Sequence, residues 1–188
     1  IIGEDRDKTI IAFDDTAKTV VDGKELGTSN SYTMRVQSSD FVLENVTVAN
    51  TEGTGQVQAV ALYAEGDRGK YHNVKITGLQ DTLLVNRGRQ YFKDSYISGS
   101  VDFIFGNAPA VFDNSIIHSL RAGYVTAAST EENQPGFVFT QCRLTTEAGL
   151  TGKVDLGRPW RPYAHVTFLK TYMDDHIKPG GWNNWGKE

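Results

Sequence analysis

Short apolar runs, each broken by one polar residue and then resumed, recur along most of the chain. Phe41-Val42-Leu43-Glu44-Asn45-Val46-Thr47-Val48 is the first full copy, and Tyr71-His72-Asn73-Val74-Lys75-Ile76 the second. The pattern returns as Tyr91-Phe92-Lys93-Asp94-Ser95-Tyr96-Ile97, Val111-Phe112-Asp113-Asn114-Ser115-Ile116-Ile117, Phe137-Val138-Phe139-Thr140-Gln141-Cys142-Arg143-Leu144 and Val166-Thr167-Phe168-Leu169-Lys170-Thr171-Tyr172-Met173. Each copy opens on an aromatic or apolar residue and resumes as a second apolar strand. The middle positions Asn45, Asn73, Asp94, Asn114 and Gln141 are 28, 21, 20 and 27 residues apart. Helix and strand faces repeat over a few residues, so intervals of this size mark neither. They suit stacked coils of fixed size with loops of varying length. Asn tolerates the left-handed conformation that a sharp bend needs, and stacked side-chain amides bond along a ladder. The fold this predicts is all-β, a right-handed parallel β-helix, the hand following from the preference of parallel crossovers. An antiparallel sandwich is the alternative, weakened by the scarcity of hairpin dipeptides.

Ahead of the first copy, residues 9–13 and 19–21 read as strands, Asp14-Asp15 and Asp22-Gly23 as turns, and residues 27–30 as a loop. Composition does not break over residues 31–173, and no Pro- or Ser-rich linker interrupts it. Residues 1–188 are therefore expected to form one domain, with a loop-rich tail over 174–188. The chain opens on Ile1-Ile2-Gly3 without a start methionine and reads as an excerpt of a longer polypeptide, so a missing signal peptide carries no information.

With 39% hydrophobic and 22% charged residues the chain can bury a core. Its formal net charge of −4 gives no reason to expect nucleic acid or an anionic membrane as partner, and its apolar runs are too short to span a bilayer. Cys142 is the only cysteine, which excludes a disulfide framework and a cysteine-rich zinc site; it reads as a core residue. His72, His118, His165 and His176 lack ligand spacing and read as solvated or packed. Asp14-Asp15 and Asp174-Asp175 lack the third acid that calcium would need. Ser129 lacks a Gly-x-Ser-x-Gly elbow.

The carboxylates and carboxamides are more suggestive. Gln58, Gln80 and Asp102 follow one another at intervals of 22 residues. Neighbouring rungs of a parallel stack lie roughly 4.8 Å apart, so the three would form a ladder on one surface. Chemistry and a plain stabilising ladder both account for it. Asp81 and Asp102 are 21 residues apart and fall on neighbouring rungs. Two carboxyls that close resist double ionisation, which leaves an ionised nucleophile or base beside a protonated acid. The competing reading has each aspartate capping a turn. Val101, Phe103, Ile104 and Phe105 surround Asp102, however, and a carboxylate in apolar company needs a partner. Arg158, in Leu156-Gly157-Arg158-Pro159-Trp160, is a candidate, since a guanidinium can clamp a carboxylate with two hydrogen bonds.

At this point a resemblance becomes specific. Gln58-Ala59-Val60-Ala61-Leu62, Gly78-Leu79-Gln80-Asp81-Thr82-Leu83, Asp102-Phe103-Ile104-Phe105-Gly106-Asn107-Ala108 and Leu156-Gly157-Arg158-Pro159-Trp160 resemble, in order and spacing, four successive motifs of the pectin methylesterases. Tyr124-Val125-Thr126-Ala127-Ala128-Ser129-Thr130 resembles the bacterial branch, and Gly181-Trp182-Asn183-Asn184-Trp185-Gly186 extends the likeness. The resemblance implies a secreted ester hydrolase acting on methyl-esterified pectin, with no cofactor or metal; a monomer is expected. Asp102 would be the nucleophile, Gln58 and Gln80 the oxyanion donors, Asp81 the acid and then the base, and Arg158 the group that orients Asp102. Trp160 would contact the sugar. Trp182 or Trp185 would add a platform, with Trp182 preferred, and Phe105 lines either the cleft or the core. The family's N-terminal Gly-x-Tyr-x-Glu motif and its C-terminal segment lie outside this stretch. Leu84 stands where many relatives carry tyrosine, and Asp155 puts a charge before Leu156 for which the sequence offers no reason. The alternative is a non-catalytic β-helical polysaccharide-binding or surface protein, which needs no aspartate pair. A calcium-dependent lyase or a polygalacturonase would need acidic motifs of its own.

Overall fold

The computed structural model describes residues 1–187, and the repeat becomes a stack of parallel coils. The strand before each polar residue belongs to a six-stranded sheet: Val42–Glu44, Gly69–His72, Gln90–Lys93, Ala110–Asp113, Phe137–Thr140 and Val166–Leu169. The strand after it belongs to an eleven-stranded sheet: Thr47–Asn50, Lys75–Thr77, Tyr96–Gly106, Ile116–Ala128, Arg143–Thr146 and Tyr172–Met173. Ile10–Phe13, Met34–Val36, Leu62–Ala64, Leu83–Val85 and Val154–Gly157 complete that second sheet. All pairings within the two sheets are parallel, so the all-β solenoid expected from the repeat is the fold observed.

The polar residue between the two strands is the corner. Asn45, Asn73, Asp94, Asn114, Gln141 and Lys170 have φ between 47° and 56°, the left-handed region that Asn and Asp tolerate best. The amide ladder forms in part: Asn73 Nδ2 donates to Asn45 Oδ1 at 2.8 Å, and Asn114 Nδ2 to Asp94 Oδ1 at 2.6 Å. His72 sits on the same outer edge, 3.0 Å from Glu44 and 3.3 Å from Asp94.

Inside, one aromatic per coil stacks along the axis. Tyr71, Phe92, Phe112, Phe139 and Phe168 have successive centroid separations of 4.4, 4.9, 4.5 and 4.7 Å and planes within 16° of each other. The rung spacing sets this distance, since each ring is carried by the same strand position of the next coil. Ile76, Ile97, Ile117 and Leu144 form a second buried column on the opposite sheet. Cys142 is buried in this core, with its thiol donating to Phe112 O at 3.3 Å.

One local expectation is made specific and one changes. Asp22-Gly23 is the tip of a small antiparallel hairpin between Val20–Val21 and Lys24–Glu25, because both residues adopt the positive φ that a tight hairpin requires. Residues 28–30, expected as loop, form a short 3-10 turn. Replacing Phe112 with Ala should destabilise the fold by about 3–5 kcal/mol in urea unfolding, because it removes two stacking faces and leaves a cavity. Replacing the exposed Tyr91, which precedes Phe92 on the outer face, with Phe should cost under ~1 kcal/mol.

Candidate active site

Along the eleven-stranded sheet, side chains alternate between core and exterior, and the alternation breaks at an aspartate. Phe103 and Ile104 are consecutive yet both belong to the core. The break is Asp102, whose φ is 50°, inside the strand Tyr96–Gly106. The register with Ile116–Ala128 slips on either side of Val101 at this point. Gly99 leaves the space that Phe103 fills, since a Cβ at Gly99 would overlap the Phe103 side chain. By alternation Asp102 would share the core face with Ile104; the bend turns it out instead. Asp81, on the preceding coil, has φ 63° and the same role.

The backbone fixes which residues are neighbours. Asp81 N–H donates to Val101 O at 3.0 Å, and Leu83 and Leu84 pair with Ile104 and Phe105, so Asp81 lies beside Asp102. Ala59 N–H donates to Gln80 O at 3.1 Å, which sets Gln58 beside Gln80. The expected ladder of Gln58, Gln80 and Asp102 is corrected accordingly: Asp81, not Gln80, is the rung partner of Asp102. The site is two stacked pairs, a carboxamide pair next to a carboxylate pair.

Both pairs face a cleft of about 320 Å³ that also takes in Phe105, Arg158 and Trp160. Its apolar floor is Phe105 and Ala127, which belong with Tyr63 and Leu84 to an outward row, a small apolar cluster separate from the main core. Phe105 is thus buried in the floor of the cleft rather than in the interior. Leu84, where many relatives carry tyrosine, is buried in the apolar cluster beside Phe105. The Phe105 ring lies 6.1 Å from that of Trp160, which is 36% exposed and so presents a free indole edge to the opening.

Arg158 reaches Asp102 with two bonds, Nε to Oδ1 at 2.9 Å and Nη2 to Oδ2 at 2.6 Å. Its guanidinium carbon also lies 4.0 Å from the ring centre of Tyr124 and 3.7 Å from that of Trp185. Burial pushes the Asp102 carboxyl above the ordinary aspartate value, and the hydrogen bond and charge of Arg158 pull against it. Asp81 has no such clamp. Its burial, followed by the charge of Asp102, pushes its pKa up to about 8, with Arg158 offsetting part of the rise. One carboxyl of the pair is therefore protonated at neutral pH while its neighbour is held by a cation. Neither the Gln58 nor the Gln80 side-chain amide is bonded to another described residue, so both keep N–H donors for a guest in the cleft.

Some residues fall elsewhere, and others were not foreseen. Trp182 lies in an adjoining hollow with Ala128, Pro159 and Ala164, its ring 6.0 Å from Phe168 at the end of the aromatic stack. Trp185, not Trp182, lines the cleft. Tyr124, Thr28 and Ser29 were missed. Tyr124 had a legible signal, because it alternates with the buried Val125 and so points outward; the 3-10 turn that brings Thr28 and Ser29 has none. Asp155 now has its reason. It is 4% exposed and accepts a bond from Lys178 Nζ at 2.6 Å, a pair that ties the tail to the sheet.

A β-helix with a carboxylate pair, a clamped arginine and two carboxamides in one cleft defines a class of solenoid whose site lacks a serine–histidine couple. The chain belongs to the pectinesterase family, whose sequence model matches residues 1–188. Pectinesterase 31 of Arabidopsis thaliana is 43% identical over 162 residues, which cover 85% of this chain and 51% of that protein. Pectin methylesterase PemA from Erwinia chrysanthemi has a TM-score of 0.89 at 36% identity, over 94% of this chain and 64% of that one. Pectin methylesterase from carrot has a TM-score of 0.89 at 34% identity, over 98% and 60%. The chain spans about half the length of the curated relatives it matches.

The raised Asp81 value has a consequence for stability. A carboxyl whose pKa is higher folded than unfolded contributes fully at low pH and loses that contribution as pH rises through the folded value. The Asp81→Asn variant lacks this dependence. Its thermal midpoint should gain on the wild type between about pH 4 and about pH 8 and hold a level advantage above that, as calorimetry across pH would record.

Proposed function

We propose that this chain is the catalytic part of a pectin methylesterase, which hydrolyses the C6 methyl esters of galacturonate units and releases methanol. The observation that carries the reading is the division of the two carboxyls: Asp102 clamped twice by Arg158, Asp81 beside it protonated up to about 8. Asp102 attacks the ester carbonyl, and the charge moves to the carbonyl oxygen, where the Gln58 and Gln80 side-chain N–H groups meet it. The tetrahedral adduct collapses, the C–O bond to the methoxy group breaks, and Asp81 gives its proton to the departing methanol. An anhydride then joins Asp102 to the substrate. Asp81, now ionised, takes a proton from water as the water oxygen attacks the anhydride. The product carboxylic acid leaves, Asp102 returns to its salt bridge and Asp81 is protonated again.

Trp160, at the cleft mouth, supplies an apolar face for a sugar ring. The relatives include a pectin methylesterase solved with a hexasaccharide, which supports an extended polysaccharide guest. Pectin is a wall polymer, so the place of action is extracellular. The bacterial kinship read from residues 124–130 gains no separate support, since a plant relative reaches 43% identity and bacterial structures 36–38%. A calcium-dependent lyase would need clustered acidic ligands, and no group of three such side chains is present among the described residues. A purely sugar-binding solenoid leaves the Asp81–Asp102 pair, with its stability cost, unexplained.

Methanol release from a soluble methylated oligogalacturonide tests this. Asp102→Asn should lose at least ~10³-fold in turnover with its circular dichroism unchanged, and Gln80→Ala on the order of 10²-fold. Turnover by Asp102→Asn at the wild-type rate would overturn the covalent route. The wild-type pH–rate profile should fall at low pH as Asp102 takes up a proton, and again near about 8 as Asp81 loses its own.

A further inference from the structure

The tail over residues 174–187 does something that nucleophile, acid and oxyanion donors leave undone: it closes over the arginine. Trp185 and Tyr124 both bring their ring centres within 4.0 Å of the same guanidinium carbon. Two rings that near cannot share one face of a flat group, so they cover opposite faces. One edge of the guanidinium is occupied by the two bonds to Asp102. The tail that carries Trp185 is pinned at several points. Lys178 pairs with the buried Asp155 at 2.6 Å, Asn183 N–H donates to Gly157 O at 3.1 Å, and Lys187 Nζ donates to Trp160 O at 3.0 Å and also to Pro159 O.

A second observation points the same way. Trp185 has φ 59°, a conformation that a bulky residue seldom adopts and that persists only where the surroundings enforce it. Its own N–H is bonded to Asn183 Oδ1 at 2.8 Å, which fixes the bend that folds the indole back over Arg158.

We propose that Trp185, with Tyr124 on the other face, is a positioning residue for ester hydrolysis: it holds the plane of Arg158 against Asp102 and shields one face of the cation from water. The inference rests on the reading of Asp102 as nucleophile. An exposed arginine–carboxylate contact is weak because water screens it and the long side chain must be immobilised. Aromatic faces remove both penalties, since they exclude water and attract the cation through the ring quadrupole. The charged and titratable groups around the pair are Asp81 on the preceding coil, Tyr124 on the following one, and Lys187 on the tail. Lys187 already donates to two carbonyls and lies 5.2 Å from the Trp185 ring, so it does not compete for Asp102. Without the indole, water reaches Arg158 first. The pull on Asp102 weakens, and burial then raises its pKa further.

The test uses the full chain, with two readouts on Trp185→Ala, Trp185→Leu and Trp185→Phe. In methyl-ester hydrolysis of a soluble methylated oligogalacturonide, the Ala and Leu variants should lose about 10-fold in kcat, with KM within about 2-fold, and their acid limb should move up by about one pH unit. The Phe variant keeps a ring face and should recover most of both. The Leu variant keeps apolar bulk without a π face, so it gives the answer if the Ala variant does not fold. The second readout needs no turnover: the Arg158 Nε–H, followed by ¹⁵N NMR, should exchange slowly in the wild type and quickly in the Ala and Leu variants. A raised KM with kcat and acid limb unmoved would make Trp185 a sugar platform and overturn the proposal, as would Nε–H protection equal to wild type. Protected Nε–H in a wild type that releases no methanol would sink the esterase reading and leave the clamp standing.

Discussion

A parallel β-helix closes only if every coil turns at the same place, and the left-handed corner at residues 45, 73, 94, 114, 141 and 170 is that turn. Everything else in the stack inherits its register from it. Strands on either side of the corner align with those of the next coil, so like side chains fall on like, and the aromatic column follows without further instruction. The corner also explains the residue types found there, since Asn and Asp accept positive φ at lower cost than other non-glycine residues. Lys170 shows that a coil can carry the same corner without an amide.

The site uses the same device for a different end. Two extra left-handed residues, Asp102 within a strand and Asp81 just ahead of one, break the side-chain alternation and turn polar side chains onto an apolar floor. Burial disfavours ionisation of both, and contact with Arg158 decides which of them carries the charge. The asymmetry between two chemically identical groups therefore comes from one residue that lies 56 positions from Asp102 in the chain. Burying two carboxyls side by side lowers fold stability, a cost that functional sites commonly carry.

Much of this was legible in the sequence, for a physical reason. Corner residues are constrained in type and core residues in polarity, so both leave a periodic mark. Asp81, Asp102 and the two glutamines were marked by their intervals and by the motifs around them, and Arg158 by its motif and by the need of Asp102 for a cation. What misled was finer than residue type. Coils of 21 and 22 residues look alike until the ladder bonds are known, so Gln80 and Asp81 have equal claim in the sequence to the place beside Asp102. The strands Tyr96–Gly106 and Ile116–Ala128 run longer than the repeat suggested, because a single left-handed residue breaks alternation without ending the strand. Trp182 and Trp185 occupy one short motif, and only the bend at Trp185 distinguishes the indole that turns inward. Asp155 was opaque because its partner Lys178 lies 23 residues downstream.

The order of the site's parts along the stack also gives the molecule a direction in time. Gln58 lies on one coil, Gln80 and Asp81 on the next, Asp102 on the one after, and Arg158 and Trp185 further along the stack. During synthesis, amino-terminal coils emerge first and can stack before the rest of the chain exists. A nascent chain that has made Asp102 but not Arg158 holds a buried carboxyl without a counter-ion, and such a group keeps its proton. Asp102 thus gains its counter-ion only when the coil that carries Arg158 docks, so the charge at this position depends on the order in which the stack is built.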